Sequence, residues 1–167
     1  QSGAGPDRRI RRSADALLPA RRPRPASRRV GLTVLDAGPM IGLFSRRDVH
    51  HEASLRALGE CRERGDQLVL PASALAEVLV YPSEQSPEDV ETARRLLARL
   101  AVGVISLDEE IAVETAGLRA VHSSRLPFPD AMVVAMAIIL DADRLVTTDR
   151  RWPHAVAMGF EGELVVV

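Results

Sequence analysis

Lysine is missing from this sequence altogether, cysteine occurs once, and aromatic side chains make up only 3% of it. Each shortage excludes something. A lone Cys61 makes neither an internal disulfide nor a cysteine-based zinc site. With so few aromatic rings, a stacking platform for unpaired bases is not expected. The longest uninterrupted apolar run, residues 131–140, falls short of the roughly 20 residues that a membrane span needs. The first residues show no basic-then-apolar signal pattern. No membrane association and a cytoplasmic location are therefore expected.

What is present is an ordinary globular balance. The chain has 167 residues, of which 46% are hydrophobic, enough for one domain with a sizeable core. The net charge of −1 hides an asymmetry. Residues 1–29 hold nine Arg and two Asp, and the rest hold 13 Arg and 21 acids. The first part is thus +7 and the second −8. All 22 basic residues are Arg, which reads first as coding bias, although Arg also suits bidentate phosphate contacts. Residues 1–29 are biased to Pro, Arg, Ala and Ser and bury too little to offset their ordering entropy. They read as a disordered tail, as non-native leader sequence, or as a start assigned too early. A basic arm touching nucleic acid is the functional alternative. Residues 30–167 form the expected domain.

From Val30 on, short apolar runs alternate with helical patterns. Strands are expected over 30–35, 67–71, 102–107, 144–149 and 163–167. Helices are expected over 50–64, over 74–81 capped by Ser73, and over 86–100. The last opens with Ser, Pro and two acids, a strong start signal. Two more are expected from Asp108 to about His122 and over 131–140 after Asp130. The run Met40 to Phe44 resumes an apolar pattern after a Gly-Pro break and receives no assignment. Strands separated by helices predict a parallel sheet with right-handed crossovers. The fold class is then α/β, a three-layer α/β/α sandwich around a mostly parallel sheet of about five strands.

Four carboxylates sit where the pattern says core. Asp36 directly follows the strand in "VGLTVLDAGPMIGLF", and Asp149 ends "RLVTTD". In open parallel sheets ligands bind at the carboxyl ends of strands, so both acids point at one edge. Glu77 lies in "PASALAEVLVY", with Ser73, Ala74, Val80 and Tyr81 as one-turn neighbours, and is expected on the inward face. Buried there without a partner, it would cost several kcal/mol. Asp130 sits between Pro129 and a buried helix, where a simple N-cap is the structural alternative. The alternatives for the other two are a turn residue at Asp36 and a buried salt bridge at Glu77. Together, however, four converging acids repel. At about 5 Å and an effective dielectric near 20, each pair costs about 3 kcal/mol. Relieving one charge, as in Asp149→Asn, is expected to stabilise the metal-free fold. A hard divalent cation with oxygen ligands accounts for such a cluster directly. Mg²⁺ or Mn²⁺ so held is equipment for phosphodiester hydrolysis.

The pattern resembles the PIN-domain family across nearly all of residues 30–167. "VLDAGPMIGLF" is similar to that family's first motif, "SALAEVLVY" to the second, "LPFPDAMVVAMAIIL" to the third and "LVTTDRRW" to the fourth. Each is weak singly, but four in order at these spacings are specific. With "RRDVHHEA" after the first motif, the chain looks most like bacterial toxin ribonucleases of the VapC type. That resemblance implies a metal-dependent endoribonuclease, with Asp36, Glu77, Asp130 and Asp149 as catalytic and Mg²⁺- or Mn²⁺-binding residues and Thr147 supporting the last acid. It also implies an RNA substrate, a small VapB-like antitoxin that covers the groove, and a homodimer. Alternatives are a PIN-type nuclease in RNA processing without an antitoxin and an inactive nucleic-acid-binding module. Many members carry Ser, Thr or Asn two residues after the first Asp. Here that position is Gly38, which also argues against a phosphatase with a second nucleophile-type Asp.

Other polar residues have plainer expected roles. Asp141 and Asp143 read as a solvated turn. Asp108, Glu109 and Glu110 favour a helix start through the dipole. Arg150 and Arg151 either grip phosphate or pair with acids. His50, His51, His122 and His154 lack metal-ligand spacing. Trp152 is expected to pack, and Cys61 to be buried and inert.

Overall fold

A computed structural model describes residues 30–167, so the reading of residues 1–29 as a tail lies outside the described residues. The domain is built on five strands: β1 Leu32–Leu35, β2 Gln67–Pro71, β3 Val102–Ile105, β4 Arg144–Thr147 and β5 Glu163–Val166. All neighbours pair parallel, in the order β3-β2-β1-β4-β5. The expected sheet is therefore present, and it is parallel throughout. β1 is central because its Thr33-Val34-Leu35 run is apolar or β-branched and buried on both faces.

Among the described residues six α-helices connect the strands. They are α1 Ala37–Phe44, α2 His51–Arg64, α3 Ala72–Gln85, α4 Pro87–Arg99, α5 Glu109–His122 and α6 Phe128–Ile139. Right-handed crossovers place α1 to α4 on one face, as the chain steps from β1 to β2 to β3. They place α5 and α6 on the other face as it returns to β4. These are the three layers expected. The core lies between them, with Leu35, Met40, Leu70, Leu126, Met136 and Leu145 fully enclosed.

Local chemistry sets most boundaries. Gly65 takes the left-handed conformation (φ 74°) that ends α2. Ser86 caps α4 by accepting from the Asp89 N–H at 3.1 Å, while its hydroxyl donates to the Asp89 carboxylate at 2.8 Å. Asp108 caps α5 by accepting from the Ile111 N–H at 2.9 Å. Asp143 accepts from the Leu32 N–H at 2.8 Å, so it anchors the start of β1 and is more than a solvated turn residue.

Three expectations change. The unassigned run after Asp36 is helix α1, capped by Asp36 itself. Pro39 is its third residue, where the missing N–H has no intrahelical partner to lose. Ser73 does not cap α3, which starts directly after Pro71 and runs on through Pro82. The Ser73 hydroxyl is instead buried without a hydrogen-bond partner. A short 3-10 turn at Ala155–Met158 precedes β5 and was not expected.

A candidate active site at the carboxyl edge

The strand order reverses between β1 and β4. The chain leaves β1 toward β2, while β4 lies on the other side of β1. Such a switch point opens a crevice beyond the carboxyl ends of the two strands. Asp36 lies there one residue past β1, and Asp149 two residues past β4. The Asp36 N–H donates to the Val146 carbonyl at 2.9 Å, extending the ladder by one rung and fixing the backbone.

Asp36 is 8% exposed. One carboxylate oxygen accepts from the Ala37 N–H at 2.7 Å and the other from the Thr147 hydroxyl at 2.7 Å. Burial nonetheless pushes its pKa up to about 6. The two hydrogen bonds oppose that rise, and the charges of Asp130 and Glu77 add to it. Thr147 serves both acids of the crevice, because its oxygen also accepts from the Asp149 N–H at 3.1 Å.

Asp130 is the third residue of α6, not its N-cap, a position held by Pro127 without a side-chain bond. The capping alternative therefore fails. The Asp130 carboxylate accepts instead from the Trp152 indole N–H at 2.8 Å. Burial raises the Asp130 pKa, the indole and Arg151 hold it down, and Asp149 pushes it up. Trp152 is buried, as expected of a packing residue, but it also orients an acid. Sequence reasoning missed that contact. Its only signal was the single Trp three residues after Asp149.

Glu77 departs from expectation. Ala74 and Val78 take the core face of α3, and Glu77 is exposed beside it. Partial burial and the charge of Asp130 still raise its pKa. Asp149 departs in the other direction. Arg151 holds its carboxyl below the usual range through side-chain and backbone hydrogen bonds. Those contacts favour the charged form of Asp149 although its charge still acts on Asp130, so Asp149→Asn is not expected to stabilise the fold. Of the two readings of Arg151, pairing with an acid is the one observed.

The structure thus brings the four acids into one electrostatic group. Asp36 responds to Asp130 and Glu77, Glu77 to Asp130, and Asp130 to Asp149. They do not form a tight cage, because among the described residues no three His, Cys, Asp or Glu stand close enough to hold a metal. Two of the histidines meet backbone carbonyls instead. His51 meets the Gly42 carbonyl at 2.9 Å and His122 the Ala157 carbonyl at 3.0 Å. Gly38 has a local reason. A Cβ there would overlap the Thr148 hydroxyl, so a side chain at position 38 requires the Thr148 side chain to shift.

The sequence model of the PIN domain matches residues 33–157, and no curated protein matches the chain by sequence. Several solved structures share the fold. A toxin-antitoxin complex from Klebsiella pneumoniae superposes with a TM-score of 0.57 at 23% identity, over 70% of this chain and 86% of that one. The VapC20 toxin of Mycobacterium tuberculosis, described as cleaving the sarcin-ricin loop, gives 0.60 at 15% identity, over 77% and 95%. VapBC-1 from nontypeable Haemophilus influenzae gives 0.60 at 16% identity, over 81% and 97%.

Proposed function

The chain belongs to the PIN-domain family, and from that premise we propose that it is a divalent-metal-dependent endoribonuclease acting as the toxin of a toxin–antitoxin pair. The observation that carries the reading is the site itself. Asp36, Glu77, Asp130 and Asp149 act on one another at the switch point, and among the described residues no cation is seen to balance the buried Asp36.

The residues present fit a hard cation. All four donors are carboxylates, with no sulfur or imidazole among them, which suits Mg²⁺ or Mn²⁺. Their spread, with no three in ligating range, suits an ion that keeps several waters and takes one or two carboxylates directly. Asp36, Glu77, Asp130 and Asp149 would hold it between them. When bound, the metal supplies charge stabilisation at the phosphate and lowers the pKa of the attacking water. The chain supplies the rest. Thr147 fixes the Asp36 carboxylate and Trp152 fixes that of Asp130. Glu77, the most exposed of the four and with a raised pKa, takes the proton of the attacking water.

The substrate class and partners follow from the same reading. Two of the solved relatives are described as a toxin–antitoxin complex and as a toxin that cleaves the sarcin-ricin loop, which supports RNA as substrate and a small antitoxin as partner. Uncompensated negative charge at the crevice suits a partner that lays an Arg or Lys against the acids. A homodimer belongs to the proposal, and exposed Val80 and Tyr81 on α3 offer apolar surface for it. Induced expression in a bacterial host tests the toxin assignment. Wild type should arrest growth and Asp36→Asn should not. Harmless expression of wild type with full nuclease activity would instead favour a processing enzyme that has no antitoxin.

A further inference from the structure

Among the described residues, Arg151 is the side chain that pairs with an acid of the crevice as a cation. Its backbone N–H donates to Asp149 Oδ1 at 2.8 Å. Its guanidinium adds Nε to Oδ1 at 3.0 Å and Nη2 to Oδ2 at 2.7 Å, a two-pronged grip. The grip lies on the solvent side. The Arg151 side chain is 81% exposed, while that of Asp149 is 18% exposed. The same cation acts favourably on Asp130 but is not among the groups that set Asp36 or Glu77. The acid group is therefore divided. One half is engaged by Arg151, and the other carries charge that no cation among the described residues is seen to offset.

We propose that Arg151 is an exchangeable counter-ion, holding Asp149 until a divalent metal displaces it and then turning its guanidinium to the RNA phosphate. This rests on the metal-dependent reading above. An exposed pair between residues two apart is held weakly, so it yields to a divalent ion. Once displaced, the guanidinium stays tethered two residues from the site, and its planar fork matches phosphate oxygens. Release of Asp149 and capture of phosphate then favour each other, and metal and RNA bind with positive coupling.

The test is Mn²⁺ binding by titration calorimetry without RNA, for wild type, Arg151→Gln and Arg150→Gln. Both variants remove one positive charge at adjacent positions, but Arg151 alone grips Asp149. Arg151→Gln should bind Mn²⁺ about 1.4-fold to fivefold tighter, the range an exposed pair spans, and Arg150→Gln should change it less. In RNA cleavage, Arg151→Gln should need less Mn²⁺ for half-activation while its KM for RNA rises. A purely structural role for Arg151 gives the reverse, a loosened Asp149 and weaker Mn²⁺ binding. Weaker binding, unchanged binding, or equal tightening by both variants overturns the proposal. Absence of Mn²⁺ binding in wild type and variants alike overturns the metal reading and this inference with it.

Discussion

Replacing Asp36 with Asn probes the balance of burial and charge on which the site depends. The folded Asp36 carboxyl titrates near 6, against 3.8 for an ordinary aspartate. Below pH 3.8 both folded and unfolded chains hold the proton, and the group has no effect on stability. Between 3.8 and 6 the unfolded state gives up its proton while the folded state keeps it, so stability falls as pH rises. Above 6 the loss is complete, at about 3 kcal/mol. Asp36→Asn removes that term. The Asn oxygen still accepts from the Ala37 N–H, but its amide faces the Thr147 hydroxyl, which must then accept where it now donates. That mismatch costs about 1 kcal/mol. The net gain at pH 7 without metal is about 2 kcal/mol, which raises Tm by about 6 °C in a domain of this size. Thermal unfolding in EDTA at pH 4 and pH 7 measures it. Wild type should lose more stability than the variant between those values, and saturating Mg²⁺ should suppress the difference by stabilising the ionised form. A variant that melts lower than wild type at pH 7, with the same offset at pH 4, would refute the reasoning.

Two further substitutions test the geometry. Gly38→Ala places a methyl against Thr148 and should destabilise by about 1 to 3 kcal/mol, a loss largely recovered in the Gly38→Ala, Thr148→Ala double variant by chemical denaturation. Trp152→Phe removes the N–H that holds the Asp130 pKa down. It should cost about 1 to 3 kcal/mol of stability and move the acid limb of the pH–rate profile to higher pH. An unmoved limb would show that Asp130 does not titrate in the reaction.

The sheet was legible because its strands are short β-branched runs bounded by capping residues. Ser86, Asp108 and Gly65 mark their helix ends through local hydrogen bonds or a left-handed turn, which sequence displays directly. Helix α1 was hidden because Gly38 and Pro39 break helices everywhere except in the first turn, where they stand. The phase of α3 was hidden for another reason. Its residues 74–81 are apolar all round except for Glu77, so periodicity had no polar face to set Glu77 outward. Asp36 and Asp149 were placed correctly from strand ends alone, because a parallel sheet exposes that edge. The partners that set each acid apart were not readable. Thr147 with Asp36 spans 111 residues and Trp152 with Asp130 spans 22. Arg151 with Asp149 depends on the conformation of one turn.

The central claim is that the four-acid crevice cleaves RNA with a bound divalent cation. Incubating purified wild type and Asp36→Asn with structured RNA, in Mg²⁺ or in excess EDTA, tests it most directly. The account predicts discrete endonucleolytic fragments from wild type in Mg²⁺, and intact RNA from wild type in EDTA and from Asp36→Asn in either condition. Equal cleavage by wild type in EDTA, or by Asp36→Asn in Mg²⁺, would contradict it.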